Sequence, residues 1–263
     1  AKFPSRKVSG YSVSQMMVTS IPPQSLWDDS LKMRPKNFHN LRLGKAYTPT
    51  TSGFSKEMII ERCLNNTHNK ENNGSGYFLG ADQGNIIHVV VGKLHEGVVR
   101  IVWAEEIPLE RGFARLEELI DRYKIRKGVI DALPNRHSAQ SLISKYGHKI
   151  SMSFYTQGSV TYTENQMDNI VHINRSDAFD SLQESINAGR YQFYGTRDSV
   201  YPEIRTMINH IAALRRDETM KTTVIGGETA QVNWINTGPD HYAHALSYMN
   251  IAIDMSTSKG GLR

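Results

Sequence analysis

A single cysteine, Cys63, stands in 263 residues. One thiol closes no internal disulfide and cannot build a cysteine zinc cluster, so the expected setting is reducing and intracellular. Long apolar runs are missing too. Nothing approaches the roughly 18 consecutive apolar residues of a membrane span, and the opening Ala1-Lys2-Phe3-Pro4-Ser5-Arg6-Lys7 lacks the apolar core of a secretory leader. No Gly-x4-Gly-Lys-Ser/Thr loop is present to cradle nucleotide phosphates, and neither His-Glu-x-x-His nor Gly-x-Ser-x-Gly occurs. No internal repeat is visible. The composition, 39% apolar and 22% charged, is that of an ordinary globular chain. Its length allows one substantial α/β domain with an extension, or two small domains.

Charge is unevenly placed. The formal net charge is +5, yet residues 1–70 carry 11 Lys/Arg against 4 Asp/Glu, while the rest carries 20 against 22. A basic arm on a near-neutral body suits a polyanion such as nucleic acid, or simply keeps a terminus solvated. Residues 1–70 are broken by Pro22-Pro23, Pro35 and Pro49, and only residues 56–64 have a helical pattern. Asn65 to Ser75 is rich in Asn and Gly and reads as a loop. Residues 1–70 are therefore expected to be a basic connector, and residues 71–263 the folded domain.

Beyond residue 76 the pattern sharpens. Tyr77-Phe78-Leu79-Gly80-Ala81-Asp82 reads as a buried strand and Ile86 to Val91 as a second. Residues 98–104 form a third, after a turn over 92–97, which makes an antiparallel meander. Phe113, Leu116, Leu119, Ile120 and Tyr123 recur at helical spacing, predicting a helix over 112–125. Gly128 to Leu133 is a short apolar strand, followed by a helix over 138–146 and a strand over 150–155, the strand-helix-strand order of a parallel pairing. Helices are expected over 177–188, 202–215 and 239–254, and a hairpin around Gly226-Gly227. The whole is a mixed sheet covered by helices.

Three aspartates stand out. Asp82 ends an apolar strand, where a carboxylate is costly to bury unless paired, hydrogen-bonded or metal-bound; it also suits the opening of the Gln83-Gly84-Asn85 turn. Asp131 repeats the arrangement with apolar neighbours on both sides, which weakens a turn role. If the strands are neighbours, the two like charges repel, and a divalent cation relieves them. Oxygen ligands favour Mg²⁺ or Mn²⁺. Asp240 lies near the start of the last helix, on a stripe with His244, Ser247 and Ile251 that is nearly opposite the apolar stripe of Tyr242, Leu246, Met249 and Ile253. It reads equally well as an ordinary first-turn acid. His241 and His244, three apart without a third soft ligand, make a weak zinc pair.

The chain resembles the C-terminal nuclease part of the large terminase subunit of tailed phages. The resemblance rests on Phe78-Leu79-Gly80-Ala81-Asp82-Gln83-Gly84, then Gly128-Val129-Ile130-Asp131-Ala132-Leu133-Pro134-Asn135, then Gly238-Pro239-Asp240-His241-Tyr242-Ala243-His244-Ala245-Leu246-Ser247-Tyr248. Residues 27–43 and Val171-His172-Ile173-Asn174-Arg175 are lesser echoes. It implies an α/β fold of the RNase H-like kind, a mixed central sheet flanked by helices. It further implies an endonuclease that uses two Mg²⁺ or Mn²⁺ ions to cut concatemeric DNA during packaging in the host cytoplasm. Carried over, Asp82, Asp131 and Asp240 are the metal ligands. Many relatives have an acid where His244 stands, so either Asp240 supplies the third carboxylate or His244 joins the set, with His241 close by. The implied partners are double-stranded DNA, an ATPase motor domain that these residues do not supply, small terminase and portal, with no membrane. Arg136, Lys127 and residues 219–234 are candidate phosphate contacts. A resolvase- or transposase-type RNase H-like enzyme, or a non-catalytic DNA-binding module, are the rival expectations.

Overall fold

The structure, a computed structural model, describes residues 14–33, 38–44, 53–65, 74–157, 161–196, 200–222 and 228–258. Side chains at 31, 32, 40, 64, 65, 218–222, 228–232 and 258 lie outside the description. The chain divides into two units, Ala1–Thr51 and Ser52–Arg263. Within the first, α1 (Pro23–Lys32) begins on a proline. From the sequence alone Pro22-Pro23 looks like an interruption, but the first helical position is the one place where a missing N–H costs nothing. Arg42 at the end of a short π-helical turn, Phe38–Arg42, pairs with Asp29 at 2.8 Å and donates to Gln15 Oε1 at 2.9 Å.

The second unit starts earlier than expected. Ser55 Oγ accepts the Met58 amide and caps α2 (Lys56–Ile60), and the chain then turns into strand β1 (Cys63–Asn65) instead of continuing as helix. Ile59 is fully buried. Residues 53–65 thus belong to the folded unit rather than to a connector reaching residue 70.

The remaining strands are β2 (Tyr77–Asp82), β3 (Ile86–His95), β4 (Val98–Pro108), β5 (Lys127–Asp131), β6 (Ile150–Thr156), β7 (Tyr162–Asn165), β8 (Ile170–Asn174) and β9 (Tyr191–Gly195). With β1 they form one nine-stranded sheet in the order β1-β9-β4-β3-β2-β5-β6-β8-β7. The meander β2–β4 is antiparallel; β5 joins the free side of β2 in parallel, and β6 follows parallel to β5. A central order of third, second, first, fourth and fifth strand, antiparallel on one side and parallel on the other, makes this an RNase H-like mixed sheet flanked by helices. Strands β10 (Leu214–Thr222) and β11 (Glu228–Asn236) pair as a separate antiparallel hairpin. Strand β3 runs through the expected turn at 92–97 to His95, and only Glu96 and Gly97, at φ 50° and 78°, make the reversal. β7 and β9 carry no period strong enough to be read from sequence; β7, Tyr-Thr-Glu-Asn, is an edge strand with alternately half-buried and exposed residues.

Helices α3 (Leu109–Arg122) and α4 (Arg136–Tyr146) cover one face over Leu79, Ala81, Ile130 and Met152. Helices α5 (Arg175–Asn187), α6 (Pro202–Ala212) and α7 (His241–Ser258) cover the other, over Phe78, Val90 and Val129. α7 lies against β2, β3 and β5 and is also met by α5 and α6, so its expected polar stripe is not at the surface: Ser247 and Ile251 are as buried as Tyr242 and Leu246. Two glycines admit it. A Cβ on Gly80 would run into the Ala245 carbonyl oxygen, and one on Gly92 would stand 2.8 Å from Met249 Sδ. Gly92 marks close helix approach, where the sequence alone suggested a turn.

Candidate metal centre

The sheet register lines up four polar side chains. Asp82 lies opposite His88, His88 lies opposite Glu106, and Ala81 pairs with Ile130 one step before Asp82 and Asp131. Residues paired across adjacent strands point to the same face. Asp131, Asp82, His88 and Glu106 therefore form a row across β5, β2, β3 and β4, on the face that α7 covers.

Above the row, α7 and α6 add ligand-capable groups. Asp240 occupies the position before the first turn of α7, and its carbonyl accepts the Ala243 and His244 amides at 2.9 and 3.2 Å. His241 Nδ1 is 2.9 Å from Asp82 Oδ2, and His244 Nε2 is 3.2 Å from Asp240 Oδ2. The other ring nitrogen of His244 is hydrogen-bonded to the Tyr155 hydroxyl, so both nitrogens are engaged. Arg175, at the start of α5, brings Nη2 within 3.6 Å of Asp240. His210 from α6 lies 5.3 Å from the His88 ring and 5.9 Å from the His241 ring, centroid to centroid.

Electrostatics separate the three aspartates. Burial pushes the Asp131 carboxyl up to about 6; the Leu133 amide, which donates to its Oδ1 at 3.1 Å, opposes this, and the neighbouring Asp82 charge adds to it. Asp131 thus takes the local turn bond that its apolar neighbours had argued against. Burial acts to raise Asp240 as well, but the His244 hydrogen bond and the His244 and Arg175 charges prevail and hold it below the ordinary range. Among the described residues, Asp240 is the one carboxylate of the three with an arginine beside it. Among the described residues, neither Asp82 nor Asp131 pairs with a Lys or Arg. The Asp82 hydrogen bond raises His241. Burial, with His241 and His210 close by, lowers His88 to about 4.

Of the residues expected from sequence, Asp82 and Asp131 come together at adjacent strand ends. Asp240 is linked to them through His241 and His210, each of which feels both the Asp82 and Asp240 charges. His88, His210, Tyr155 and Arg175 were not picked out. The one available signal was His88 itself, a histidine inside the apolar run Ile86 to Val91. Gln83 supports the corner from behind: its Nε2 donates to the Asp131 carbonyl at 2.6 Å and its Oε1 accepts the Asn135 amide at 3.2 Å.

The expected phosphate contacts fare differently. Lys127 is buried, donates to the His148 carbonyl and Ser151 Oγ, and pairs with Glu164 at 3.6 Å. It braces β5 from inside the fold and is not placed to meet a phosphate. Its sequence neighbours hide this, because Glu164 comes from an unrecognised strand. Arg136 is exposed at the start of α4, with its guanidinium 5.6 Å from the Phe154 ring. In the hairpin, residues 223–227 and most side chains of 219–234 lie outside the described residues.

The donor set fits a divalent cation. Asp82 and Asp131 place carboxylates side by side with no Lys or Arg partner among the described residues, an arrangement that a bound dication relieves. Asp82, His88 and His241 also bring one ligand atom each within 4.8 Å of one another.

No family model matches the chain, and no curated protein matches it. It is similar to solved structures of phage proteins. The large terminase nuclease from thermophilic phage G20c with bound magnesium aligns at a TM-score of 0.48 and 16% identity, covering 77% of this chain and 97% of that one. The large terminase from a second thermophilic bacteriophage aligns at 0.45 and 14%, covering 88% of this chain and 52% of that one, so the chain spans about half its length. The g2p (large terminase) nuclease domain from bacteriophage SPP1 with bound Mn aligns at 0.38 and 12%, covering 69% and 87%.

Proposed function

We propose that this chain is a divalent-cation-dependent DNA endonuclease that hydrolyses phosphodiester bonds of concatemeric viral DNA during genome packaging. The observation that carries the reading is the pairing of Asp82 and Asp131 at the ends of neighbouring strands, in a sheet of RNase H-like order, with no Lys or Arg among the described residues to balance them. On this reading Asp82, Asp131 and Asp240 hold two Mg²⁺ or Mn²⁺ ions. Such ions, when bound, polarise a phosphate oxygen and make water a stronger nucleophile at neutral pH.

The chain's own groups have separate tasks. Asp82 and Asp131 supply the facing oxygens, and Asp131, raised by burial, gives up its proton more readily once a dication is near. His244, held at both ring nitrogens by Tyr155 and Asp240, is a positioning residue that fixes the Asp240 carboxylate. That leaves Asp240 rather than His244 as the third ligand, with His241 beside Asp82. The partners on this reading are double-stranded DNA, an ATPase motor domain, small terminase and portal. DNA affinity is then mostly backbone charge and falls steeply with salt.

The test is plasmid cleavage by the full chain with Mg²⁺, Mn²⁺ or EDTA, beside Asp131→Ala. Nicking and linearisation in Mn²⁺, absent with EDTA and reduced at least 100-fold in the variant, is the expected result. Equal cutting by variant and wild type refutes the site. A folded protein that binds DNA and never cuts it makes the chain a binding module, and strand transfer or a preference for branched DNA makes it a different RNase H-like enzyme.

A further inference from the structure

At the end of β5 the chain leaves Asp131 through Leu133 and Pro134, both exposed, and enters α4 at Arg136. We propose that Arg136, Phe154 and His172 form a surface that holds one DNA strand beside the carboxylate pair, with a phosphate on the Arg136 guanidinium and an unstacked base on the ring of His172. The proposal rests on the nuclease reading for the polymer's being DNA. It adds which residues meet the strand, and that one base leaves the helical stack to do so.

The sheet builds the surface. Ser153 on β6 lies opposite Asp131, and Phe154 is the next residue, so its side chain emerges at the same strand end on the other face. Parallel register sets His172 of β8 opposite Phe154, and their rings stand 6.1 Å apart at 29°. Arg136 places its guanidinium 5.6 Å from the Phe154 ring. Guanidinium, phenyl and imidazole thus follow one another across α4, β6 and β8. Phe154 is half-buried against the cluster under α3 and α4, which anchors the row, while Arg136 and His172 are exposed. The residue opposite His172 on β7 is Thr163, exposed and short, so no large side chain from that position covers the imidazole.

The polar groups of this surface are uncommitted. Arg115 and Arg175 also lie on aromatic rings but are tied to Glu105 and Asp240. Among the described residues, the Arg136 side chain has neither ion pair nor hydrogen bond, and the His172 side chain has only its contact with Phe154. A guanidinium with its face on a ring keeps its N–H edge for an anion, and a phosphate accepts two such bonds in parallel. An aromatic ring binds any base through its face, but within a duplex those faces are covered by neighbouring bases, so only a base drawn out of the stack can use His172. Leu133, 54% exposed, donates its amide to Asp131 Oδ1 and so joins the carboxylate corner to this surface. If the row served packing alone, with Arg136 covering the edge of Phe154, replacing the exposed His172 would leave DNA binding unchanged.

The experiment is DNA binding by the full chain in EDTA, where cutting does not compete, followed by fluorescence anisotropy. The probes are a labelled single strand carrying 2-aminopurine and a fully paired duplex of the same sequence. Wild type, R136Q, F154L, H172A and H172F are compared. Wild type is expected to quench 2-aminopurine in the single strand. H172A and F154L should each lose about 5-fold or more in single-strand affinity, the equivalent of one base–aromatic stack, together with the quenching, and keep their duplex affinity. H172F retains a ring without the imidazole nitrogens and should bind like wild type. R136Q should weaken single strand and duplex alike and lower the slope of log K against log salt by about 1. His172 is exposed, so H172A and H172F decide the question if F154L melts early. An H172A protein with the single-strand affinity and quenching of wild type overturns the proposal, as does H172F binding as weakly as H172A, or R136Q with an unchanged salt slope. Ring-dependent binding by a protein that never cuts plasmid leaves this surface standing and removes the nuclease reading; intact cutting beside an H172A protein that binds like wild type does the reverse.

Discussion

Replacing Asp131 with asparagine should make the cation-free protein more stable. Burial and the Asp82 charge raise the Asp131 carboxyl from 3.8 to about 6. Its ionised form is therefore disfavoured in the folded state by about two pKa units, or about 3 kcal/mol at the ceiling. Asp131 is only partly buried, and solvent screening discounts this to about 1–2 kcal/mol. Asparagine keeps an oxygen for the Leu133 amide, so the turn survives. Because the folded pKa lies above the unfolded one, the carboxyl costs nothing while both states are protonated below pH 3.8, and stability is lost as pH rises through about 6. Urea unfolding in EDTA should give equal stabilities for wild type and Asp131→Asn near pH 4, and a gap in favour of the variant that opens by pH 6 and holds at pH 7.5. Adding Mn²⁺ should close or reverse the gap, because the ion stabilises only the carboxylate form. A variant no more stable than wild type at pH 7.5 in EDTA, or a gap independent of pH, refutes the claim that Asp131 is an unbalanced buried charge.

Gly80→Ala should destabilise by about 2 kcal/mol or more, because its Cβ meets the backbone of α7 at Ala245, which cannot rotate aside; a urea midpoint equal to wild type contradicts that packing. Asp180 accepts from Trp234 Nε1 at 3.0 Å and from Arg216 Nε at 3.3 Å. Asp180→Ala removes the acceptor of both bonds and should cost about 2–3 kcal/mol, with a change in tryptophan fluorescence; a loss under about 1 kcal/mol means that the hairpin base is held by other contacts. His88, with its folded pKa lowered to about 4 from 6.5, binds protons more readily when unfolded, so stability should fall as pH drops from 6.5 toward 4. His88→Gln should flatten that limb, and an unchanged acid limb in denaturation curves argues against a buried neutral imidazole.

Much of the second unit could be read from the chain because its signals are local. Asp82 and Asp131 each close an apolar strand, and the order of strands and helices from Tyr77 to Thr156 follows from periodicity and turn residues alone. Elements whose reason for existing is elsewhere were illegible: β7 and β9 form because a neighbouring strand offers them backbone partners, and α1 because proline at a helix start looks the same as proline in a loop. Lys127 looked like a surface cation because nothing near it in sequence announces Glu164 or the His148 carbonyl.

The sequence by itself determined which strands end in carboxylates and which helix brings Asp240, His241 and His244, since apolar period and chain order are properties of the string. Only tertiary structure decided which charges meet. Sheet register put Asp131, Asp82, His88 and Glu106 in one row, and close docking of α7 over Gly80 and Gly92 set His241 on Asp82 while Arg175 compensated Asp240 alone. Electrostatic interaction depends on distance and burial, and both are created when elements remote along the chain pack together.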